Sequence, residues 1–149
     1  MTWMRVTKFD ARALALADRH YSRQRRGSRQ FMPPGKTLVL LTPDANAVFG
    51  VCSNLDPRGR EQFRCTIFRN ESELLSSDLV RAASAIAAEW ALDNGVIATL
   101  TTEIDPKLVR RKRDPGRCFR RAGWYVVGAS RGHRHRGGIV LAAPLEVAP

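Results

Sequence analysis

The clearest pattern in the chain is a helical one. Between residues 79 and 91, apolar side chains recur every three or four positions, the spacing of one face of an α-helix. Ser76 or Ser77 precedes this stretch and is the expected N-cap, because a serine oxygen can accept from a free N–H of the first turn. Asn94-Gly95 is the expected end. The spacing therefore predicts one long amphipathic helix in the middle of the chain.

Two shorter helices are predicted from local capping signals. Asp10 is the expected N-cap of a helix that runs towards His20, with Leu14, Leu16 and Ala17 on its apolar side. Asp114-Pro115 is expected to open the other, which Gly123 ends.

Short apolar runs bounded by Gly, Pro, Asn or Asp predict strands. They cover residues 3–7, 36–41, 48–53, 63–68, 96–101, 124–127 and 139–143, and the Arg-, Gly- and Pro-rich residues 22–35 are predicted to be loop. Hairpins come first and strand-helix-strand crossovers later, so we expect an α/β fold with a mixed sheet of about six or seven strands. The absence of repeats or a long linker predicts a single domain over residues 1–149.

Composition excludes several classes of protein. The chain is 44% hydrophobic and 26% charged, as in a globular domain. No apolar run approaches the roughly 18 residues of a membrane span, and the amino terminus lacks a secretory pattern, so no membrane association and a cytoplasmic location are expected. Cys52, Cys65 and Cys118 are odd in number and far apart, which predicts buried free thiols and no metal site.

Charge changes the functional picture. The formal net charge is +11, and sixteen of the 25 basic residues lie in three short segments with Asp114 as their only acid. A solvated face would intersperse both signs, whereas arginine-rich segments suit bidentate phosphate contacts. Nucleic acid is therefore the expected partner, ahead of a phosphorylated cofactor. The predicted nucleic-acid-binding residues are Arg19, Arg23, Arg25, Arg26, Lys107, Arg110, Arg111, Lys112, Arg113, Arg117, Arg131, Arg134 and Arg136.

The order of elements resembles the GNAT acyltransferase superfamily. Residues 114–128, DPGRCFRRAGWYVVG, are similar to that superfamily's late helix, turn and strand. The resemblance implies a GNAT-like sheet with helices on both faces. It also implies an acyl-CoA cofactor, which such proteins hold on a glycine-rich loop before the long helix. Here that loop, residues 69–77, reads RNESELLSS, with no glycine and two glutamates, so the cofactor is left open.

A narrower resemblance is to the Mom-type DNA-modification proteins of bacteriophages, a GNAT branch without a standard acyl-CoA loop. It is carried by residues 18–22, DRHYS, by the basic connection after Asp105 and by the turn from Phe119 to Trp124. The resemblance implies a transferase that converts adenine in DNA to an N6-carbamoylmethyl form, which resists restriction in the host cytoplasm. It matches the family's aspartate to Asp105 and its late-helix tyrosine to Phe119, where the hydroxyl is missing.

His20 and Tyr21 are the first candidate catalytic pair. Histidine can move a proton near neutral pH and tyrosine can donate or orient, which suits an exocyclic amine that loses a proton. A surface histidine beside a half-buried tyrosine is the alternative. Asp105 is the third candidate, since it follows a buried strand, although Asp105-Pro106 is also a common turn. Imidazole and oxygen ligands would suit iron, which stays open as a cofactor, although the spacing of these residues supplies no evidence for a metal site.

The junction between the strand at 63–68 and the long helix supplies the remaining candidates. Open α/β sheets commonly expose their site at such a junction. Glu71 is the fourth predicted catalytic residue, as a base, with an ordinary loop carboxylate as the alternative. Asn70, Ser76 and Phe119 are predicted to bind substrate or cofactor, although Ser76 can equally cap the helix and Phe119 can pack in the core.

Three functions remain open at this point. The first is a Mom-like enzyme acting on the N6 amine of adenine in DNA. The second is an acyl-CoA-dependent N-acetyltransferase for an amine of a protein, RNA or small molecule. The third is a non-catalytic nucleic-acid-binding protein on a GNAT scaffold. The oligomeric state also stays open, a dimer being one alternative.

Overall fold

Strands and helices follow one another in the order that the sequence predicts. The computed structural model describes residues 2–20, 31–55, 57–95, 99–105, 114–129 and 138–144. Within these ranges the elements are β1 (Met4–Val6), α1 (Ala11–Asp18), β2 (Thr37–Leu41), β3 (Ala47–Leu55), β4 (Glu61–Asn70), α2 (Ser76–Asp93), β5 (Leu100–Ile104), α3 (Arg117–Arg121), β6 (Tyr125–Ala129) and β7 (Ile139–Ala142). None of the helices in the described ranges has the length and apolar character needed to cross a membrane.

The strands form one seven-stranded mixed sheet in the order β1-β2-β3-β4-β5-β7-β6. Neighbours from β1 to β4 are antiparallel, β4 and β5 are parallel, and β7 is antiparallel to both β5 and β6. A parallel pair needs a crossover connection, and α2 lies within the one between β4 and β5. The predicted α/β fold with a mixed sheet is confirmed.

Side chains of the sheet alternate between two hydrophobic clusters. In β2, Leu38 and Leu40 belong to a larger cluster that contains residues of α2 and α3. Val39 and Leu41 belong to a smaller cluster that contains residues of α1. Successive side chains of a pleated strand point to opposite faces, which explains the alternation. All four are at most 1% exposed, so this strand is an unbroken apolar run in the sequence.

The predicted ends of α1 and α2 are partly confirmed. Asp10 caps α1 as expected, because its carboxylate accepts from the N–H groups of Arg12 and Ala13 at 2.9 and 3.3 Å. Asn94 is the C-cap of α2, and Gly95 follows with a φ of 75°. Glycine adopts that left-handed backbone without a steric penalty, so the predicted stop is confirmed.

The predicted cap of α2 is wrong. Its N-cap is Leu75, which makes no side-chain capping hydrogen bond, and Ser76 is already helical. The Ser76 hydroxyl oxygen instead accepts from Nδ2 of Asn70 at 3.0 Å. A contact to the preceding loop has replaced the local cap, while Ser77 is buried.

The predicted start of α3 is also wrong. The helix begins at Arg117, and its N-cap is Gly116 rather than Asp114. Gly116 has a φ of 83°, and a Cβ there would lie 2.9 Å from Cδ1 of Ile104, so both the backbone and the packing require glycine. Asp114 instead forms an ion pair with Arg120. The predicted end is confirmed, because Gly123 follows the helix with a φ of 97°.

The predicted bounds of the fifth strand are wrong as well. That strand was expected over residues 96–101, of which 96–98 lie outside the described residues, and β5 covers Leu100–Ile104. Pairing with β4 and β7 sets these bounds, since Phe63 lies opposite Leu100 and Ile139 lies opposite Ile104. As a result, Asp105 follows the strand immediately.

Candidate functional site

The two parallel strands at the centre of the sheet part from each other. β4 and β5 pair only from Phe63 to Cys65 on β4 and from Leu100 to Thr102 on β5. Beyond that point β4 continues beside β3, and β5 continues beside β7. We call the space between their carboxyl-terminal halves the β4–β5 opening. A crevice outside the carboxyl ends of parallel strands is the usual binding position in an open α/β sheet.

A bulge in β4 lies where the strands part. Gly50 of β3 faces Ile67 and the next residue, Val51, faces Cys65, so Thr66 is an extra residue on β4. A bulge bends its strand and increases the local twist. Gly50 is required beside it, because a Cβ there would lie 2.8 Å from both Cγ2 of Ile67 and Sδ of Met32.

Aromatic rings pack where β4 meets α3. The rings of Phe68 and Phe119 are 5.9 Å apart, and those of Phe119 and Trp124 are 4.9 Å apart, both edge to face. Phe119 is only 6% exposed and belongs to the larger cluster. Its observed contacts are therefore those of a core residue, and its predicted contact with substrate or cofactor stays a prediction.

Arg19, Glu71 and Arg69 form an ion-pair cluster at the carboxyl ends of α1 and β4. Nε and Nη2 of Arg19 donate to Oε2 and Oε1 of Glu71 at 2.6 and 3.0 Å. Nε of Arg69 donates to the same Oε2 at 2.5 Å, and its Nη1 donates to the Arg19 carbonyl at 2.7 Å. The Glu71 N–H donates to the carbonyl of Asn46, in the β2–β3 turn, at 2.7 Å. The cluster thus joins three parts of the chain.

The two arginines lower the pKa of the Glu71 carboxyl. Side-chain hydrogen bonds from Arg19 and then Arg69 stabilise the charged form and bring this pKa to about 2. A general base works best when its pKa lies near the working pH. The use of Glu71 as a base stays a prediction, and the geometry favours a carboxylate that holds arginines in place.

Because the pKa of Glu71 is lowered in the folded protein, part of the free energy of unfolding depends on pH. Glu71 stabilises the fold fully above its ordinary pKa of 4.5, and that contribution is lost as the pH falls towards about 2. We expect Glu71→Gln to lower the free energy of unfolding at pH 7 by about 1 kcal/mol, a modest figure because the carboxylate is 31% exposed. Urea unfolding between pH 7 and pH 2.5 measures this difference.

The control for this experiment is Glu73→Gln, which removes the same charge from an exposed residue of the same loop. The difference between Glu71→Gln and wild type should shrink as the pH falls, beyond any change seen with the control. A difference that stays constant or grows in acid would contradict the ion-pair explanation.

Asn70 organises the loop that leads into α2. Its Nδ2 donates to the carbonyl of Leu74 at 2.8 Å as well as to Ser76. Its Oδ1 accepts from the backbone N–H of Ser72 at 2.9 Å and from the Ser72 hydroxyl at 2.5 Å. Both ends of the amide are therefore used within the loop. The predicted binding residues Asn70 and Ser76 contact each other, and a ligand contact for either stays a prediction.

The structure places His20 directly after the ion-pair cluster and Asp105 directly after β5. The His20 N–H donates to the Ala17 carbonyl at 3.0 Å, and the residue is half-buried. Asp105 is half-buried too, and alternation along β5 places it on the same face as Glu103, away from the larger cluster. His20 is thus the sequence neighbour of Arg19, whose side chain binds Glu71, and Asp105 lies at the end of β5.

Most of the predicted phosphate contacts fall outside the described residues. Within the described ranges, Arg19 is half exposed and its guanidinium binds Glu71, whereas Arg117 is exposed at the start of α3. The predicted residues that lie outside the described ranges are Tyr21, Arg23, Arg25, Arg26, Lys107, Arg110, Arg111, Lys112, Arg113, Arg131, Arg134 and Arg136.

Sequence reasoning missed two features near the opening. Arg69 was not singled out, because its partners Arg19 and Glu71 come together only in the folded chain. Arg64 and Glu103 form a second ion pair across β4 and β5, with Nη1 and Oε2 3.5 Å apart. Nε of Arg64 and Oε1 of Glu103 are buried without a hydrogen bond, so this ion pair leaves one polar atom of each residue unsatisfied.

The cysteines and the possible metal ligands bear on two of the sequence predictions. Cys52 and Cys65 are buried thiols outside any disulfide, as predicted, and burial raises the pKa of each, whereas Cys118 is only half-buried. Among the described residues, no group of three or more His, Cys, Asp or Glu side chains is arranged to hold a metal ion.

Comparison with known proteins adds no family to this picture. No protein-family model, no curated protein and no solved structure matches the chain.

Proposed function

We propose that this protein is a Mom-like enzyme that modifies the N6 amine of adenine in DNA with a carbamoylmethyl-type group. We also propose that it uses a GNAT-like arrangement with helices on both faces of the sheet. The separate hydrophobic clusters of α1 and of α2 with α3 support that arrangement. The parting of β4 and β5 after three residue pairs leaves a crevice at the carboxyl ends of parallel strands, where a site can lie.

The observation that carries the proposal is the loop between β4 and α2. A loop that binds a pyrophosphate presents free backbone N–H groups at the start of a helix. Here several of the loop's own N–H groups are already bonded: that of Ser72 donates to Oδ1 of Asn70, that of Leu74 to the Ser72 hydroxyl oxygen, and that of Glu71 to the Asn46 carbonyl. This arrangement disfavours an ordinary acyl-CoA transferase and favours a chemistry that does not depend on that site.

The charge of the chain supports DNA as the substrate. Taking an adenine out of the duplex stack costs a few kcal/mol, and dense contacts between arginines and phosphates offset such a cost. The formal net charge of +11 supports the proposal that such contacts form. In the proposed reaction the N6 nitrogen forms a bond to the methylene carbon of the carbamoylmethyl group as the bond from that carbon to a leaving group of the donor breaks, and the leaving group departs with the electron pair. His20 accepts the proton that leaves the N6 amine, Asp105 orients the site, and Tyr21 donates a hydrogen bond.

Mass spectrometry of nucleosides tests the proposal directly. Plasmid DNA from cells that express the protein should contain a new adenine derivative heavier by one carbamoylmethyl group. DNA from cells with the empty vector is the control. Unmodified adenine from cells with well-expressed, folded protein would contradict the proposal, and saturable binding of acetyl-CoA by calorimetry would then favour the N-acetyltransferase.

A further inference from the structure

We propose that Arg69 is a positioning residue that, together with Glu71, holds the carboxyl end of α1 and thereby fixes the position of His20, the residue that follows the C-cap of this helix. The importance of His20 rests on the proposed function, whereas the hold on α1 rests on contacts alone. Arg69 is not among the residues that the sequence pattern or the family resemblance points to.

The end of α1 needs an external partner. The last carbonyl groups of a helix have no N–H partner within the helix, and an eight-residue helix has little stability of its own. Arg19 is the C-cap of α1, and its carbonyl accepts from Nη1 of Arg69 at 2.7 Å. A guanidinium at this position satisfies the carbonyl and also complements the negative end of the helix dipole.

Glu71 links the side chains of the same two arginines. Its carboxylate accepts from Arg19 and from Arg69, so the two like charges are held together by the opposite charge between them. Its backbone is anchored to the carbonyl of Asn46 in the β2–β3 turn. The next residue after this anchored C-cap is His20, so a shift of the helix end would move the imidazole by a comparable distance.

The alternative explanation is that Arg19 and Arg69 bind the phosphates of DNA. The net charge of suitable variants distinguishes the two explanations. Arg69→Gln lowers the net charge by one, whereas Glu71→Gln raises it by one. If the arginines served to attract DNA, these variants would change activity in opposite directions. If the cluster positions His20, both variants lower activity.

The experiment measures hydrogen exchange at the backbone amides of Arg19 and His20, together with the yield of modified adenine. Both amides donate to carbonyls of α1, at 3.1 and 3.0 Å, so their exchange reports opening of the helix end. We expect exchange to accelerate on the order of tenfold in Arg69→Gln and Glu71→Gln, the scale set by losing one charge-assisted hydrogen bond. The yield should fall roughly 10- to 100-fold in both.

Arg12→Gln is the matched control. Arg12 lies in α1 and, like Arg69, forms an ion pair, but its partner Asp10 is at the opposite end of the helix from Arg19. Arg12→Gln lowers the net charge by one, as Arg69→Gln does. It should alter neither the exchange of these two amides nor the yield. Unchanged exchange in both cluster variants would overturn the proposal, as would a higher yield in Glu71→Gln. If the wild type makes no modified adenine, the proposed function fails, and the exchange rates alone decide whether Arg69 holds α1.

Discussion

Replacing His20 with alanine is expected to lower the yield of modified adenine roughly 100- to 10,000-fold, the usual contribution of a positioned general base. The proposed reaction needs a proton acceptor beside the N6 amine, and His20 is the histidine that directly follows α1 and its C-cap, Arg19. Nucleoside mass spectrometry of plasmid DNA measures the yield, with protein amounts matched by immunoblot.

DNA affinity separates chemistry from binding in the same variant. His20→Ala leaves every arginine in place, so the affinity for duplex DNA should stay within about twofold of wild type at a fixed salt concentration. Asp105→Asn, which keeps the shape of the side chain and removes its charge, should also lose yield and keep affinity. If His20→Ala retained full yield, His20 would not be the base. If Arg111 and Arg113 variants alone abolished every measurable property, a binding protein without catalysis would fit better.

Replacing Phe63 with alanine is expected to lower the free energy of unfolding by about 3–5 kcal/mol, the range for removing a buried phenylalanine. Phe63 is 1% exposed, and its ring centroid lies 4.8 Å from that of Trp90 on α2. It also begins the short paired segment of β4 and β5. The substitution would therefore leave a cavity between α2 and the strands at the base of the opening.

Phe9→Ala is the control for that experiment. Phe9 is 53% exposed after β1, so removing its ring should change stability by less than about 0.5 kcal/mol. Urea unfolding followed by tryptophan fluorescence compares the two variants with wild type. A loss below about 1 kcal/mol for Phe63→Ala would mean that the Phe63 and Trp90 packing does not support the central strands as the structure indicates.

Elements that depend on near neighbours in the chain were predicted well. The period of α2 was visible in its apolar residues, and the cap at Asp10 depends only on N–H groups two and three residues away. The stop at Asn94-Gly95 is equally local. In these cases the local signals and the tertiary packing favour the same structure, so the sequence pattern was sufficient.

Signals that compete with a tertiary contact were misread. Ser76 has the right chemistry for a cap, but its hydroxyl accepts from Asn70, and the helix begins at Ser76 with Leu75 as an N-cap that makes no side-chain hydrogen bond. Asp114 pairs with Arg120, while the close approach of Gly116 to Ile104 decides where α3 begins. A sequence shows which residues can cap, but it does not show which of them another part of the fold has already engaged.

The candidate site follows the same division. The position of Glu71 at the junction before α2 was predictable from the order of strand and helix, whereas its binding to Arg19 and Arg69 was not. Arg19 and Glu71 are separated by 52 residues, and Arg69 and the Arg19 carbonyl by 50. The Arg64 and Glu103 pair likewise depends on the parallel register of β4 and β5.

The sequence by itself determined the order of elements, the α/β class and the basic excess that points to a polyanionic partner, because these depend on composition and on spacing between near neighbours. Only the tertiary structure decided which charged groups meet, where β4 and β5 part and which residue holds the end of α1. Those outcomes depend on strand register and on how α1 packs against the sheet. A shift of the register by one residue would bring different side chains together.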